Sequence, residues 1–153
     1  MMIRRYRPGE ERAIWDVYFR ATHESNARDY HPDLLNWWAP VDQDMVEWRE
    51  RCIQKNPCVV IVADQIVGMV ELGSDGFLDY FYVSPDFQGR GIGSQLLARI
   101  ESEAREMKLS QLAAEVSLTA KAFFESRRFI VTEARENVIL GHPAPNYVMS
   151  KDL

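Results

Sequence analysis

The segment at residues 88–94, QGRGIGS, places three glycines at alternate positions between two segments of regular structure. The run before it, residues 77–83 (FLDYFYV), is apolar except for Asp79, which predicts a central strand. The apolar spacing over residues 94–107 predicts an amphipathic helix. A helix start offers free backbone N–H groups, and glycines let the backbone approach a ligand closely. The segment therefore predicts a phosphate-binding loop, with Arg90 adding positive charge at its rim.

Two common phosphate-binding patterns are excluded by the residues around these glycines. The phosphate loop of nucleotide hydrolases, GxxxxGK[ST], requires a lysine that does not follow the glycines here. The dinucleotide fingerprint GxGxxG requires a final glycine where this sequence has Ser94 or Leu96, depending on the glycine that opens the pattern. The loop therefore belongs to neither class.

The rest of the sequence predicts a mixed α/β chain. Strands are expected at residues 3–6, 59–63, 66–72, 77–83, 111–116, 129–138 and 147–150. Helices are expected at residues 10–21, 44–55, 94–107 and 119–127, and a short helix is expected between Pro32 and Pro40. The first strands form an antiparallel meander, and the later strand–helix–strand unit requires at least one parallel pairing.

Length and charge limit the classes of function. With 153 residues the chain fits one domain, residues 1–153, and no apolar run is long enough to span a bilayer. The sequence shows no signal peptide, and its two cysteines give no disulfide framework or zinc pattern, so a cytoplasmic protein is expected. The net charge of −5 disfavours nucleic-acid binding and favours a cationic partner such as an amine. The three histidines are scattered, and no metal site is expected.

Residues 88–93, QGRGIG, match the motif Q/R-x-x-G-x-G/A of the GNAT N-acetyltransferase superfamily, and the preceding Tyr82-Val83-Ser84-Pro85 resembles the strand end in that family. A second family signature is N-x-x-A-x-x-F-Y-E-x-x-G-F. Its positions align with Ser117, Ala120, Phe123, Phe124, Glu125, Arg128 and Phe129. The Phe-Phe-Glu segment and the Trp-Ala stretch at residues 38–39 resemble the bacterial YafP-like branch.

This resemblance implies an α/β fold of the α+β type. The fold is a twisted, mixed, mostly antiparallel sheet with helices on both faces, in which the central strand and the next one splay apart into a V. It also implies an acetyl-CoA-dependent N-acetyltransferase, a transferase that passes an acetyl group directly to a primary amine of a small molecule or a protein. No metal and no membrane partner are implied. Members of the superfamily often form dimers, so a homodimer is one expected state.

The resemblance further assigns cofactor contacts. The pantetheine arm would run along Phe81, Tyr82 and Val83, the Val83 amide would polarise the thioester carbonyl, and Phe123 and Phe124 would flank the end of the arm. The residues that would bind the pyrophosphate are Gln88, Gly89, Arg90, Gly91, Ile92, Gly93 and Ser94.

The general base is expected on the central strand. Asp79 is its only charged residue, and period-two alternation places it on the face of Phe81 and Val83. A carboxylate among apolar neighbours has a raised pKa, which suits a group that takes a proton from an ammonium. Alternatively, Asp79 accepts structural hydrogen bonds or binds the ammonium without moving a proton. Glu71, on the preceding strand, is the second candidate, with a solvated strand end as its alternative.

The sequence does not identify the general acid that would protonate the leaving thiolate. The superfamily commonly has a tyrosine where Phe124 stands, and phenylalanine cannot donate a proton. Either the thiolate leaves unassisted, or Tyr147, Ser117 or Thr119 donates the proton. The alternative for each is a core or capping residue, and Thr119 in particular suits a helix N-cap.

We expect aromatic residues outside the motifs to line the acceptor pocket, because aromatic faces attract ammonium groups. The substrate-binding candidates are Tyr30, Trp38 and Asn146, and one of Trp37 and Trp38 is expected in the core. His31 is an alternative base. Two other readings of the whole protein stay open. One is a module that binds or senses acyl-CoA without turnover, and the other is a transferase with a longer acyl donor.

Overall fold

A seven-stranded sheet is the centre of the computed structural model, which describes residues 1–153. The strands are β1 (Met2–Arg5), β2 (Cys58–Val62), β3 (Gln65–Leu72), β4 (Phe77–Val83), β5 (Gln111–Ser117), β6 (Ile130–Arg135), β7 (Val138–Ile139), β8 (His142–Pro143) and β9 (Asn146–Asp152). The helices are α1 (Glu11–Arg20), α2 (Pro32–Trp38), α3 (Met45–Lys55), α4 (Ile92–Glu106) and α5 (Lys121–Ser126). None of the helices combines the length and the apolar surface needed to cross a lipid bilayer.

The strand order in the sheet is β1-β2-β3-β4-β5-β9-β6, and β7 and β8 form a separate hairpin. The first four strands pair as an antiparallel meander, and the last strand inserts between β5 and β6. The single parallel pairing joins β4 to β5. The predicted mixed, mostly antiparallel sheet with a central strand over residues 77–83 is therefore confirmed.

Helices cover both faces of this sheet because each carries one apolar stripe. On one face, α4 buries Leu96, Leu97 and Ile100 against the strands. On the other face, α1 and α3 bury Trp15 and Trp48 in an aromatic cluster. Burial of this apolar surface supplies the main stabilisation of both layers.

Local signals explain where α3 begins and ends. The Asp44 carboxylate accepts bonds from the N–H groups of Val46 and Glu47, which caps the first turn. Asn56 ends the helix in the left-handed conformation, with φ of 47°.

One predicted strand ends three residues early, and one predicted helix is followed by further helical turns that were not predicted. The strand expected over residues 129–138 ends at Arg135, and the chain then turns back as the β7–β8 hairpin, where Leu140 and Gly141 both adopt positive φ. The predicted helix over residues 10–21 ends at Arg20 and continues as one π-helical turn, Ala21–Ser25, and a 3-10 turn, Asn26–Arg28. These turns carry the chain from α1 to the segment that faces the sheet's central gap.

The gap lies between β4 and β5. These strands pair only at Phe77 with Ala113 and at Leu78 with Ala114, after which they diverge. The expected V between the central strand and its neighbour is therefore present. Beyond Leu78, the β5 side of β4 has no strand partner, and this opening positions the site.

Candidate active site

The glycine loop presents unpaired backbone donors at the start of α4. Gly89 and Gly91 adopt φ of 74° and 78°, a conformation that favours glycine. None of the six consecutive N–H groups of residues 89–94 makes a well-formed hydrogen bond within the protein. An array of free donors at the positive end of a helix is suited to an anion with several oxygens. The structure thus gives the loop the donor set that the sequence predicted.

Not every residue of this loop presents its side chain to a ligand. Ile92 is buried in the core, so only its backbone is available. Gly93 packs against the side wall, because a methyl group at this position would lie 3.3 Å from two ring carbons of Phe123. Arg127 lies over the same ring, 5.8 Å from its centroid, and adds a positive charge beside the loop. Arg127 was not among the predicted cofactor contacts, although the Arg-Arg pair at residues 127–128 marks a local positive charge.

Gln88 joins the loop to the end of β4. Its Nε2 donates to the carbonyl oxygen of Val83 at 3.0 Å and to Oγ of Ser25 at 2.9 Å. The N–H of Ser84 donates to the Val67 carbonyl in β3. Because neighbouring residues of a strand point their amides to opposite sides, the N–H of Val83 points away from β3 and into the gap. This amide therefore faces the gap between β4 and β5 and has no strand partner there.

A bulge in β4 changes which side chains share a face. Between the pairs Met69–Tyr82 and Glu71–Asp79, β4 has two residues where β3 has one. Tyr80 supplies the extra residue, with φ of 51°. The strict alternation expected from the sequence is broken at this point.

The predicted position of Asp79 on the face of Phe81 and Val83 is therefore wrong. Phe81 and Val83 pack on the α4 side, whereas Asp79 contacts Arg51 of α3 on the opposite side, next to Tyr80. Its side chain is 51 % exposed, and apolar neighbours do not surround it as predicted. Asp79 nevertheless borders the gap, so its carboxylate remains within the candidate site.

Glu71 is buried beside Asp79. Its carboxylate accepts two bonds from Arg51, from Nε to Oε1 at 3.0 Å and from Nη2 to Oε2 at 2.6 Å. Burial raises the pKa of the Glu71 carboxyl, and the bonds to Arg51 lower it only in part. A solvated strand end was the alternative expectation for Glu71, and it is wrong. The guanidinium of Arg51 lies 4.3 Å from the ring centroid of Tyr80, so all three residues are fixed together.

A cavity of about 570 Å³ fills the gap between β4 and β5. The substrate-binding candidates Tyr30, Trp38 and Asn146 all line it, although they come from distant parts of the sequence. The lining also includes Phe81, Tyr82, Phe124 and Asp79. Trp37 is 54 % exposed and also lines the cavity, and Trp38 is the partly buried member of the pair.

Tyr30 serves as a tie between the cavity walls. Its hydroxyl donates to the carbonyl oxygen of Pro145 at 2.7 Å and accepts from the N–H of Leu118 at 2.9 Å. Its ring meets Trp38 edge to face, with centroids 5.0 Å apart. Burial raises the pKa of this phenol. Tyr30 therefore shapes the cavity with its ring, while its hydroxyl is already hydrogen-bonded to two backbone groups.

The structure separates the three candidate proton donors. Tyr147 does not line the cavity, and Lys121 covers its ring with Nζ 4.7 Å from the centroid, so it is not brought together with Asp79 and Glu71. The Thr119 hydroxyl donates to Asp29 at 2.6 Å, and α5 begins two residues later without a side-chain cap. The predicted cap is therefore wrong.

Ser117 is the candidate donor that lines the cavity. Its Oγ accepts a bond from the N–H of Ala120 at 3.1 Å, and its own proton donates to no group of the protein. Phe124 is buried among three other rings at centroid distances of 5.0 to 5.5 Å, those of Phe81, Phe123 and Phe129. Of the three candidate donors, Ser117 is therefore the one that lines the cavity with a hydroxyl proton that no protein group accepts.

Comparison with known proteins agrees with this geometry. Residues 26–144 match the family described as acetyltransferase (GNAT) domain. The N-acetyltransferase YafP of Escherichia coli is 31% identical over 130 residues, which cover 84% of this chain and 81% of YafP. The chain belongs to the GNAT acetyltransferase family. The resemblance stated from the two motifs and the YafP-like segments is confirmed.

Solved structures show the same fold. A GCN5-related N-acetyltransferase from Rhodopseudomonas palustris superimposes with a TM-score of 0.91 at 24% identity, covering 99% of this chain and 95% of the other. The acetyltransferase yncA from Salmonella typhimurium, solved with acetyl-CoA, has a TM-score of 0.74 at 22% identity, covering 100% of this chain and 94% of the other. The family match and the identity to YafP show an acetyltransferase of the GNAT type, and these structures show that its fold is the same.

Proposed function

We propose that this GNAT protein transfers an acetyl group from acetyl-CoA to a primary amine by direct attack, with both substrates bound at once. The observation that carries the proposal is the row of six unpaired N–H groups at residues 89–94, at the start of α4. A diphosphate has enough oxygens to accept several of these bonds, and Arg90 and Arg127 add positive charge nearby. The acetyl-CoA found in the yncA structure is consistent with this assignment.

The gap beside β4 suits the remaining part of the donor. The pantetheine arm contains amide groups, and the N–H of Val83 points into the gap, where no strand satisfies it. Phe81 and Phe123, with ring centroids 5.7 Å apart, form the apolar wall on the α4 side. The arm would thus pair with the unpartnered strand edge and pack against this wall.

The charge of the cavity favours a cationic acceptor. On one side, Arg51 faces the two carboxylates of Glu71 and Asp79. On the other side, Arg135 faces the two carboxylates of Glu115 and Glu133. Each group carries one negative charge in excess, which attracts an ammonium.

Aromatic faces add to this preference. Trp37 and Trp38 follow one another on α2 and line the cavity, and Trp37 leaves much of its ring accessible. An ammonium above an aromatic face gains about 0.5–1 kcal/mol at exposed sites. The acceptor class we propose is therefore an amine that is protonated in solution.

Asp79 is the base in this proposal. It removes a proton from the bound ammonium, and the neutral nitrogen then forms a bond to the thioester carbon. The Val83 amide stabilises the negative charge that develops on the carbonyl oxygen. The carbon–sulfur bond breaks, and the sulfur takes the second proton of the amine, so no covalent enzyme intermediate is needed. Ser117 is the candidate relay for this step, because its hydroxyl proton passes to the departing sulfur while its oxygen takes the second proton of the amine.

A panel of primary amines tests the proposal. Purified protein with acetyl-CoA and small amines, polyamines or peptides should release CoA and acetylate at least one acceptor, measured by thiol detection and mass spectrometry. Calorimetry should show CoA binding without an acceptor. Absence of both CoA binding and CoA release would reject the enzyme and its cofactor together.

A second function is favoured by one observation. Phe124, buried where the family commonly has a tyrosine, offers no hydroxyl to the departing sulfur. The alternative is a module that binds acyl-CoA and senses it without turnover. Tight CoA binding with no transfer to any amine of the panel would select this alternative. The remaining possibility is a transferase that uses a longer acyl donor. It would turn over propionyl-CoA or butyryl-CoA faster than acetyl-CoA.

We place this activity in the cytoplasm, because both cysteines are free and buried. Cys52 and Cys58 form no disulfide. Free thiols in a chain of this size fit a reducing compartment.

A further inference from the structure

Two histidines and an aspartate converge next to residues that line the cavity. His31 precedes α2, Asp33 lies in the first turn of that helix, and His142 belongs to the β7–β8 hairpin. The Nε2 atom of His142 lies 3.1 Å from Oδ2 of Asp33, and Nδ1 of His31 lies 3.7 Å from the same oxygen. One ligand atom from each residue lies within 4.8 Å of the others.

These separations approach those of a metal site. Zinc–nitrogen and zinc–oxygen bonds of about 2.0–2.1 Å at tetrahedral angles place neighbouring ligand atoms about 3.3 Å apart. Two imidazoles and one carboxylate suit zinc and the neighbouring first-row divalent ions, and a three-ligand site leaves one position for water. His31 and Asp33 are exposed and His142 is partly buried, so an ion and its water can reach the site. Small side-chain rotations would complete the geometry.

The arrangement of the two rings supports this reading. The His31 and His142 rings stack with centroids 3.8 Å apart and an angle of 13° between planes. In this arrangement Nδ1 of His31 and Nε2 of His142 both lie within 3.7 Å of Oδ2 of Asp33, and two imidazoles with one carboxylate form a donor set that divalent transition metals bind. The backbone N–H of Asp33 donates to Nδ1 of His31 at 3.1 Å, so Nδ1 is an acceptor with a lone pair that a metal ion could use instead. A metal ion would replace that single hydrogen bond.

We propose that His31, Asp33 and His142 bind a divalent transition-metal ion of the Zn²⁺ class. The ion would link α2 to the β7–β8 hairpin, two elements that contribute Leu34 and Ile139 to the cavity wall. It lies apart from the glycine loop and from the Arg51 group. The site therefore goes beyond acetyl transfer, and its existence does not depend on that function.

The test is metal titration of untagged protein that has been stripped with a chelator. Competition with a chromogenic chelator should show one Zn²⁺ per chain, and Co²⁺ should give the visible absorption of a four-coordinate site. His31→Ala and His142→Ala should each weaken Zn²⁺ binding by at least about tenfold. The control His23→Gln, whose ring contacts the Ala39 carbonyl instead, should bind as the parent does.

Circular dichroism of each variant separates lost metal binding from lost folding. Asp33→Asn, which replaces one carboxylate oxygen of a ligand, is a third and milder ligand variant. Zn²⁺ should also raise the melting temperature of the parent and of His23→Gln, but not that of His142→Ala. The proposal is overturned if the folded parent takes up no stoichiometric Zn²⁺ or if the three ligand variants bind it unchanged.

Discussion

Arg51 of α3 binds both carboxylate oxygens of Glu71 in β3, and the same Nη2 atom reaches Oδ2 of Asp79 at 3.1 Å. One arginine thus ties a helix to both strands at the β4 bulge and holds Asp79 at the edge of the cavity. Loss of one partner of a buried ion pair costs about 3–5 kcal/mol, because the other charge is left uncompensated. Arg51→Met should therefore lower the free energy of unfolding by about 3 kcal/mol in urea denaturation. The matched control is Arg20→Met, because Arg20 also binds two carboxylates, those of Glu24 and Asp86, and both are exposed. An equally small loss in Arg51→Met would show that Arg51 contributes little.

Glu71 makes the stability of the protein depend on pH in a defined direction. Because its pKa is raised by burial, the folded chain binds this proton more tightly than the unfolded chain. Its contribution to stability is complete below the unfolded pKa of about 4.3 and is lost as the pH rises through the folded pKa. The free energy of unfolding of the parent minus that of Glu71→Gln should therefore fall as the pH rises through this range. A difference that grows with pH would mean that Arg51 lowers the pKa instead.

Asp79→Asn should lower kcat at neutral pH by about 100-fold, because loss of a general base commonly costs that much or more. CoA affinity should change little, since the glycine loop lies elsewhere. The matched control is Asp64→Asn, in the β2–β3 turn, where the left-handed φ of 63° suits asparagine as well. Equal kcat in parent and Asp79→Asn would remove Asp79 from the mechanism, and an ammonium-binding role would instead raise KM for the amine alone.

Gly91→Asp should weaken CoA binding by at least about 100-fold, which is about 2.8 kcal/mol, because a carboxylate beside a diphosphate brings like charges together. The variant also carries the backbone cost of a positive φ, about 1 kcal/mol. Gly141→Asp separates the two effects. Gly141 has nearly the same φ, 76° against 78°, and open space around it, but lies in the β7–β8 hairpin. Calorimetry should find full CoA affinity in Gly141→Asp, and equal losses in both variants would contradict a phosphate cradle.

Cys52 should resist alkylation in the folded protein. Burial raises the pKa of its thiol to about 12, so at pH 8 it holds roughly a thousandfold less thiolate than a free cysteine. Mass spectrometry after iodoacetamide treatment should find Cys52 unmodified in buffer and fully modified in denaturant. Rapid modification of the native protein would show that α3 does not stay packed on the sheet.

The sequence predicted those parts of the protein that local pattern determines. The apolar run at residues 77–83 has the same bounds as β4, and the glycines predicted a loop with free donors, which residues 89–94 provide. The aromatic segments around Tyr30 and Trp38 do meet Asn146 at one cavity. In these segments the residue types alone indicate a buried strand, a loop with free N–H groups and an aromatic cavity wall.

Contacts between distant segments were not predictable in the same way. A left-handed tyrosine is rare, so nothing in the residue pattern marked Tyr80 as the bulge that moves Asp79 to the face of Arg51. The stacking of His31 on His142 depends on where the β7–β8 hairpin folds back, and two histidines so far apart in sequence show no metal spacing. Both features arise from tertiary geometry, which a single sequence does not reveal.

Two residue pairs alone join β4 to β5, and therefore the first four strands to the rest of the sheet. An extended, amide-bearing molecule in the opening would hydrogen-bond to the unpaired edge of β4 as a neighbouring strand does. The first four strands and the rest of the sheet would then move as one rigid body. Slower deuterium uptake along β4 would accordingly report how fully the protein is loaded, whatever amine it later modifies.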